Sequence, residues 1–169
     1  LRQKVSRTFS NLTKQTTEKP TRLRSCNKCG DCSMFFTFVI AGKIKVIERE
    51  KMQDQERLEI YRKEAIRLRR ALHRIPEEGF KLEKTQAYII NYLKTMGYEP
   101  ETVCQSGIVL YIKGTDENNT IAFRADMDAL CITEEADHDY VSRHVGMMHA
   151  CGHDGHMTMN LLLAKYLYD

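Results

Sequence analysis

Between His149 and His156 the chain places a thiol, three imidazoles and a carboxylate within eight residues, as His149-Ala150-Cys151-Gly152-His153-Asp154-Gly155-His156. Sulfur, imidazole and carboxylate are the donors that hold transition metals. The Cys151-x-His153 spacing suits a strand end or tight loop, from which two side chains can turn toward one ion. A lone C-x-H is a weak signal. It is strengthened by a second polar cluster just upstream, Arg124-Ala125-Asp126-Met127-Asp128-Ala129-Leu130. Asp126 and Asp128 follow a strand-like run, and residues two apart on a strand face the same side, so both carboxylates can reach one site. Blander readings stand beside these. Cys151 can be a buried neutral thiol, and the two aspartates can be strand-end carboxylates held by backbone amides. His149 and His156 read equally well as satisfied structural histidines. Asp154 can support the site or cap the last helix.

These groups need elements to carry them. Leu58, Tyr61, Ala65, Leu68 and Leu72 recur at helical spacing, and the helix should stop before Pro76, which disfavours helical geometry at Ile75. A second helix is expected over residues 83–96, burying Ala87, Ile90 and Leu93 or their neighbours, with Gly97 as its C-cap. A short extended segment near 101–104 precedes a strand at 108–113. Gly114 to Asn119 has turn chemistry, and a strand follows at 120–124. Residues 157–168 have helical composition, with leucines at 161, 162, 163 and 167. Helix, helix, strand, strand, loop, helix points to an α/β sheet layered with helices.

RADMDAL followed by MHACGHDGHM resembles the amidohydrolase branch of metallopeptidase family twenty. That branch includes N-acyl-amino-acid amidohydrolases, hippurate hydrolases, N-acetyldiaminopimelate deacetylases and auxin-conjugate hydrolases. Leu72-His73-Arg74-Ile75-Pro76-Glu77-Glu78-Gly79-Phe80 resembles the family's H-x-x-P-E-x-G-F segment, and Ser106-Gly107-Ile108-Val109 also fits. The resemblance spans residues 54 to 169. It implies a partial zinc-exopeptidase-like catalytic domain, a mixed sheet with helices on its faces. It also implies that Cys151 and His153 are ligands of a two-ion centre (Zn, Mn, Co or Ni) and that Asp128 orients a ligand from behind. Asp126 stands where sister branches have a ligand histidine. Glu134 matches a family glutamate whose role stays open. Glu77-Glu78 and Glu134-Glu135 are paired carboxylates, but neither matches the family's catalytic pair by position. Cys131 replaces the usual proline after D-A-L, which loosens a loop without removing chemistry. The family's general-base glutamate and later ligands lie beyond the CGHD motif and are not found in this sequence, so the chain is expected to be an N-terminal, inactive piece.

Residues 1–51 hold twelve Lys and Arg against four Asp and Glu, a balance of +8, whereas residues 52–169 hold fourteen against nineteen, a balance of −5. Opposite charge argues for a boundary near residue 51. Residues 1–51 then read as a disordered basic segment, and 52–169 as the catalytic part. Glu48-Arg49-Glu50-Lys51 before Met52 can be encoded by a purine-rich ribosome-binding sequence, so Met52 is a candidate start and 1–51 translated upstream sequence. Cys26, Cys29 and Cys32 are one ligand short of a closed zinc or iron–sulfur site. Residues 34–41 are apolar apart from Thr37, but far shorter than the roughly 20 residues of a membrane helix.

The expected activity is hydrolysis of the amide of an N-acyl amino acid or similar small conjugate by metal-activated water. The expected setting is cytoplasmic, with a small-molecule substrate, no membrane and a homodimeric full-length enzyme. Three alternatives remain: a peptidase of short peptides, a non-catalytic fragment, and a nucleic-acid binder using the basic tail. Bland solvation of that tail is favoured over nucleic acid.

Overall fold

A computed structural model describes residues 35–41, 54–114 and 120–168. The order is β1 (Phe35–Ala41), α1 (Asp54–His73), α2 (Glu83–Thr95), β2 (Glu101–Val103), β3 (Gly107–Lys113), β4 (Thr120–Asp126) and α3 (His153–Tyr168). The strands form one mixed sheet in the order β2-β3-β1-β4. β1 runs parallel to β3 and antiparallel to β4, and β2 is antiparallel to β3.

β1 corrects the reading of residues 1–51 as one disordered segment. Phe-Phe-Thr-Phe-Val-Ile-Ala is aromatic and β-branched, the composition that fits a pleated surface. It lies between β3 and β4, with Phe36 opposite Ile108 on one side and Ala125 on the other. The expected boundary at residue 51 therefore does not separate the sheet from what precedes it. The Cys26, Cys29 and Cys32 group and the candidate start Met52 lie outside the described residues.

Phe36, Ile40, Ile108, Leu110 and Ala125 share one face of the sheet by register. They join Leu68 and Leu72 of α1, Ile89 and Leu93 of α2, and Met157 and Leu161 of α3 in one core. Every strand residue of that core lies on the same side of the sheet by register, so the three helices cover a single face. α1 ends at His73, ahead of Pro76 as its sequence requires. Its apolar stripe is split, for Leu68 and Leu72 are fully buried while Leu58 is 67% exposed. The first turns of α1 therefore run past the core. α2 buries Thr85, Ile89 and Leu93, a stripe turned slightly from Ala87 and Ile90. Gly97 closes it at φ +79°, donating to Lys94 O at 2.9 Å while Tyr98 N reaches Leu93 O at 3.2 Å. That pair of bonds is the Schellman arrangement, and the positive φ explains the glycine. At the β2–β3 hairpin, a Cβ on Gly107 would meet Val103 Cγ2 at 2.9 Å, so only glycine fits without a shift. Among the described residues no helix is long and apolar enough to cross a membrane.

Candidate metal centre

The three family-like motifs lie far apart in sequence and meet through backbone bonds. Ala129 N donates to Glu77 O at 2.7 Å, tying the RADMDAL segment to the Pro76–Glu78 turn. Leu130 and Met148 exchange N–H···O bonds of 3.0 Å each way, tying RADMDAL to MHACGHDGHM. Glu77, one of the paired carboxylates, is absorbed structurally. Its two oxygens accept the Lys84 and Thr85 amides at 3.1 and 2.8 Å, so it caps the start of α2, where unpaired N–H groups favour an anion.

α3 begins at His153, four residues before the leucine-bearing stretch read as helix. Gly152, at φ +79°, turns the chain into it. His153 Nδ1 lies 2.8 Å from the Asp128 carbonyl oxygen and 3.1 Å from its Oδ1. With Nδ1 so engaged, Nε2 is the atom left to ligate a metal. A ligand histidine usually has a carboxylate or carbonyl on its far nitrogen, so this contact fits the expected role of Asp128. Cys151 presents an exposed free thiol two residues away. These donors suit a thiophilic divalent ion, Cys151 and His153 binding and Asp128 fixing the ring. They do not themselves close into a three-ligand group among the described residues.

Asp126 is elsewhere. Its Oδ1 is 2.7 Å from Arg124 Nη2 and 3.1 Å from Arg124 Nε, and both side chains are about half exposed. The two-residue rule pairs Asp126 with Arg124 inside the strand. Asp128 lies beyond the strand end, where that parity no longer binds it to Asp126's side.

A second polar cluster was missed as a unit by sequence reasoning. Buried His73, at the end of α1, places Nδ1 2.7 Å from Asp154 Oδ2 and Nε2 3.0 Å from Glu134 Oε1. Arg69 Nε donates to the same Asp154 oxygen at 3.0 Å. His138 Nε2 lies 3.1 Å from Glu134 Oε1, and Glu134 Oε2 accepts the Ser142 amide at 2.6 Å. Burial alone would raise the Glu134 carboxyl. The Ser142 amide, His73 and His138 outweigh it and hold the group below its usual range. Asp154 also accepts the Gly155 amide at 2.9 Å within the first turn of α3, and its contacts with His73 and Arg69 link α3 to α1. His149 is buried with no hydrogen-bond partner on either ring nitrogen, and burial pushes it down to about 4, Asp154 opposing and His73 adding. Only His73's place in the H-x-x-P-E segment and Glu134's place after RADMDAL hinted at this cluster.

Residues 122–169 match the Peptidase family M20/M25/M40. Over 98 residues the chain is 48% identical to an N-acetyldiaminopimelate deacetylase of Bacillus cytotoxicus, covering 57% of this chain and 26% of that protein. The corresponding Listeria monocytogenes deacetylase is 47% identical over 100 residues, covering 58% and 27%. The chain thus spans about a quarter of the length of these curated relatives. Among solved structures, an aminohydrolase from methicillin-resistant Staphylococcus aureus superposes with TM-score 0.55 at 32% identity, covering 70% of this chain and 32% of that one. A Bacillus subtilis M20 protein described as a dinuclear metal-binding peptidase superposes with TM-score 0.52 at 28% identity, covering 64% and 32%. Motifs, relatives and fold agree that this chain is related to the M20 family of hydrolytic enzymes, over part of their length, and resembles its amidohydrolase branch.

Proposed function

We propose that the protein carrying this segment is a metal-dependent amidohydrolase that cleaves the amide of an N-acyl amino acid, with N-acetyldiaminopimelate a leading candidate substrate. The observation that carries the reading is the Asp128–His153 contact beside Cys151, an oriented imidazole next to a thiol. The identity to deacetylases supports the substrate class. Cys151 and His153 would hold the metal, the thiolate supplying charge and a soft donor. When bound, the metal supplies Lewis acidity toward an amide carbonyl and water. Asp128 keeps His153 in the tautomer whose Nε2 is unprotonated, by accepting the proton of Nδ1. Among the described residues Cys104, Cys131 and Cys151 are free and exposed, which fits a reducing, cytoplasmic setting. None of these 169 residues is assigned as the general base, so as a separate chain they are proposed to be inactive.

The test is made in the intact enzyme. Cys151→Ala should remove most N-acyl-amino-acid hydrolysis and lower metal content. Cys131→Ala, at an exposed loop thiol, should do neither. Equal losses from both would show that the thiol ligand is misassigned, and no hydrolysis by the unsubstituted enzyme would overturn the reading.

A further inference from the structure

We propose a second, separate metal site, formed by His73, Glu134 and His138, that takes a zinc-like divalent ion. His73 Nε2, a Glu134 oxygen and a His138 ring nitrogen all lie within 4.8 Å of one another. The two nitrogen-to-Glu134 Oε1 separations are 3.0 and 3.1 Å. Four tetrahedral donors at about 2.0–2.1 Å from zinc stand about 3.3–3.4 Å apart, so small outward shifts of the ligands would admit the ion. Two imidazoles and one carboxylate are a donor set for zinc rather than for magnesium or calcium, which prefer oxygen.

Two further observations separate this from an ordinary hydrogen-bonded cluster. The first lies behind the ligands. Asp154 holds Nδ1 of His73 at 2.7 Å, and the Ser142 amide holds the second oxygen of Glu134 at 2.6 Å. Each ligand is thus oriented from its far side, as metal ligands commonly are. His138 is fixed differently, its ring stacked on Tyr140 at 3.7 Å and 10°. The second is the burial of the charges. His73 faces a carboxylate oxygen on each nitrogen, Asp154 on Nδ1 and Glu134 on Nε2. His73 and Glu134 side chains are each 3% exposed, where an uncompensated carboxylate is costly. His138, at 26% exposed, gives the ion a way in and leaves room for a water as fourth ligand. The site takes neither Cys151 nor His153 as a ligand, so zinc binding here is measured separately from the proposed amidohydrolase centre.

The experiment uses the full 169-residue chain with Cys26, Cys29, Cys32 and Cys151 changed to serine, which removes competing thiolates. Zinc is titrated against the side-chain ¹⁵N signals of the histidines. The first equivalent should move the Nε2 signals of His73 and His138 together. His138→Gln, at a partly exposed position outside the core, should abolish the His73 response and weaken zinc binding at least tenfold, while His153→Gln should leave the response intact. If His73 and His138 do not respond to zinc, or if His73 responds equally well in His138→Gln, the contacts are held by protons and the proposal fails.

Discussion

Phe36→Ala should destabilise the 169-residue chain by about 3–5 kcal/mol, because β1 is a central strand and Phe36 is fully buried in it. A buried Phe removes about 150–200 Å² from water, which at about 25 cal/mol per Å² is about 4–5 kcal/mol, with the cavity left behind adding to it. Ordinary domains have a margin of about 5–15 kcal/mol, so the change consumes much of it. Tyr111→Ala serves as the control. Tyr111 stands on the opposite face of β3 and is 43% exposed, and its loss should cost about 1 kcal/mol or less. The assay is urea unfolding followed by far-UV circular dichroism, comparing midpoints and slopes. A second arm starts the chain at Met52, which removes β1 and leaves β3 and β4 without their shared neighbour. That chain should lose its cooperative transition or aggregate. An unchanged midpoint in Phe36→Ala, or a 52–169 chain as stable as the whole, would refute the placement of β1 and restore the boundary near residue 51.

Three further outcomes are expected. Asp128→Asn in the intact enzyme should weaken metal binding about 10–100-fold without unfolding it, since it disturbs the far nitrogen of His153; metal affinity measured by competition with a chelator checks this, and unchanged affinity counts against the orienting role. The 169-residue chain alone should not hydrolyse N-acetyl or N-benzoyl amino acids with added zinc, manganese or cobalt, and turnover above the metal-only background would show that a base lies among these residues. Glu64 is held below its usual range first by its hydrogen bond from Arg67, so its contribution is present above the ordinary value of 4.5 and is lost as pH falls through the lower folded value. Being partly exposed, the pair should be worth roughly 0.5 kcal/mol, and Glu64→Gln should show that difference at pH 7 and none near pH 2; an equal difference at both pH values would contradict the linkage.

The parts of the fold that were legible in the sequence have local causes. The helix over 54–73 shows a 3.6-residue period and a proline stop, and Gly97 shows a left-handed cap. The hairpin strands are short and bounded by turn residues. β1 was obscured because its seven residues sit in a stretch of +8 charge, and an average over that stretch hides a short apolar run. The run also shows no alternation, since Thr37 is the one polar residue among its seven. At the candidate site, the motifs drew attention to Cys151, His153 and Asp128. The structure brings Asp128 to His153, whereas Asp126 turns to Arg124. The His73 cluster had no local signature, since its partners are 61 and 81 residues distant in sequence.

That distance explains what the cluster does for the fold even before any ion is considered. Successive residues on a helix point about 100° apart, so His153 and Asp154 leave the first turn of α3 in different directions. His153 meets Asp128 at the end of β4, and Asp154 meets His73 and Arg69 on α1. The start of α3 is therefore fixed from two sides, by the sheet and by a helix. Asp154 is buried, and removing one partner from a buried charged pair typically costs about 3–5 kcal/mol. A rotation of α3 that moved His153 off Asp128 would also have to break the Asp154–His73 contact. The orientation of His153 is thus guarded by an interaction that does not itself touch His153.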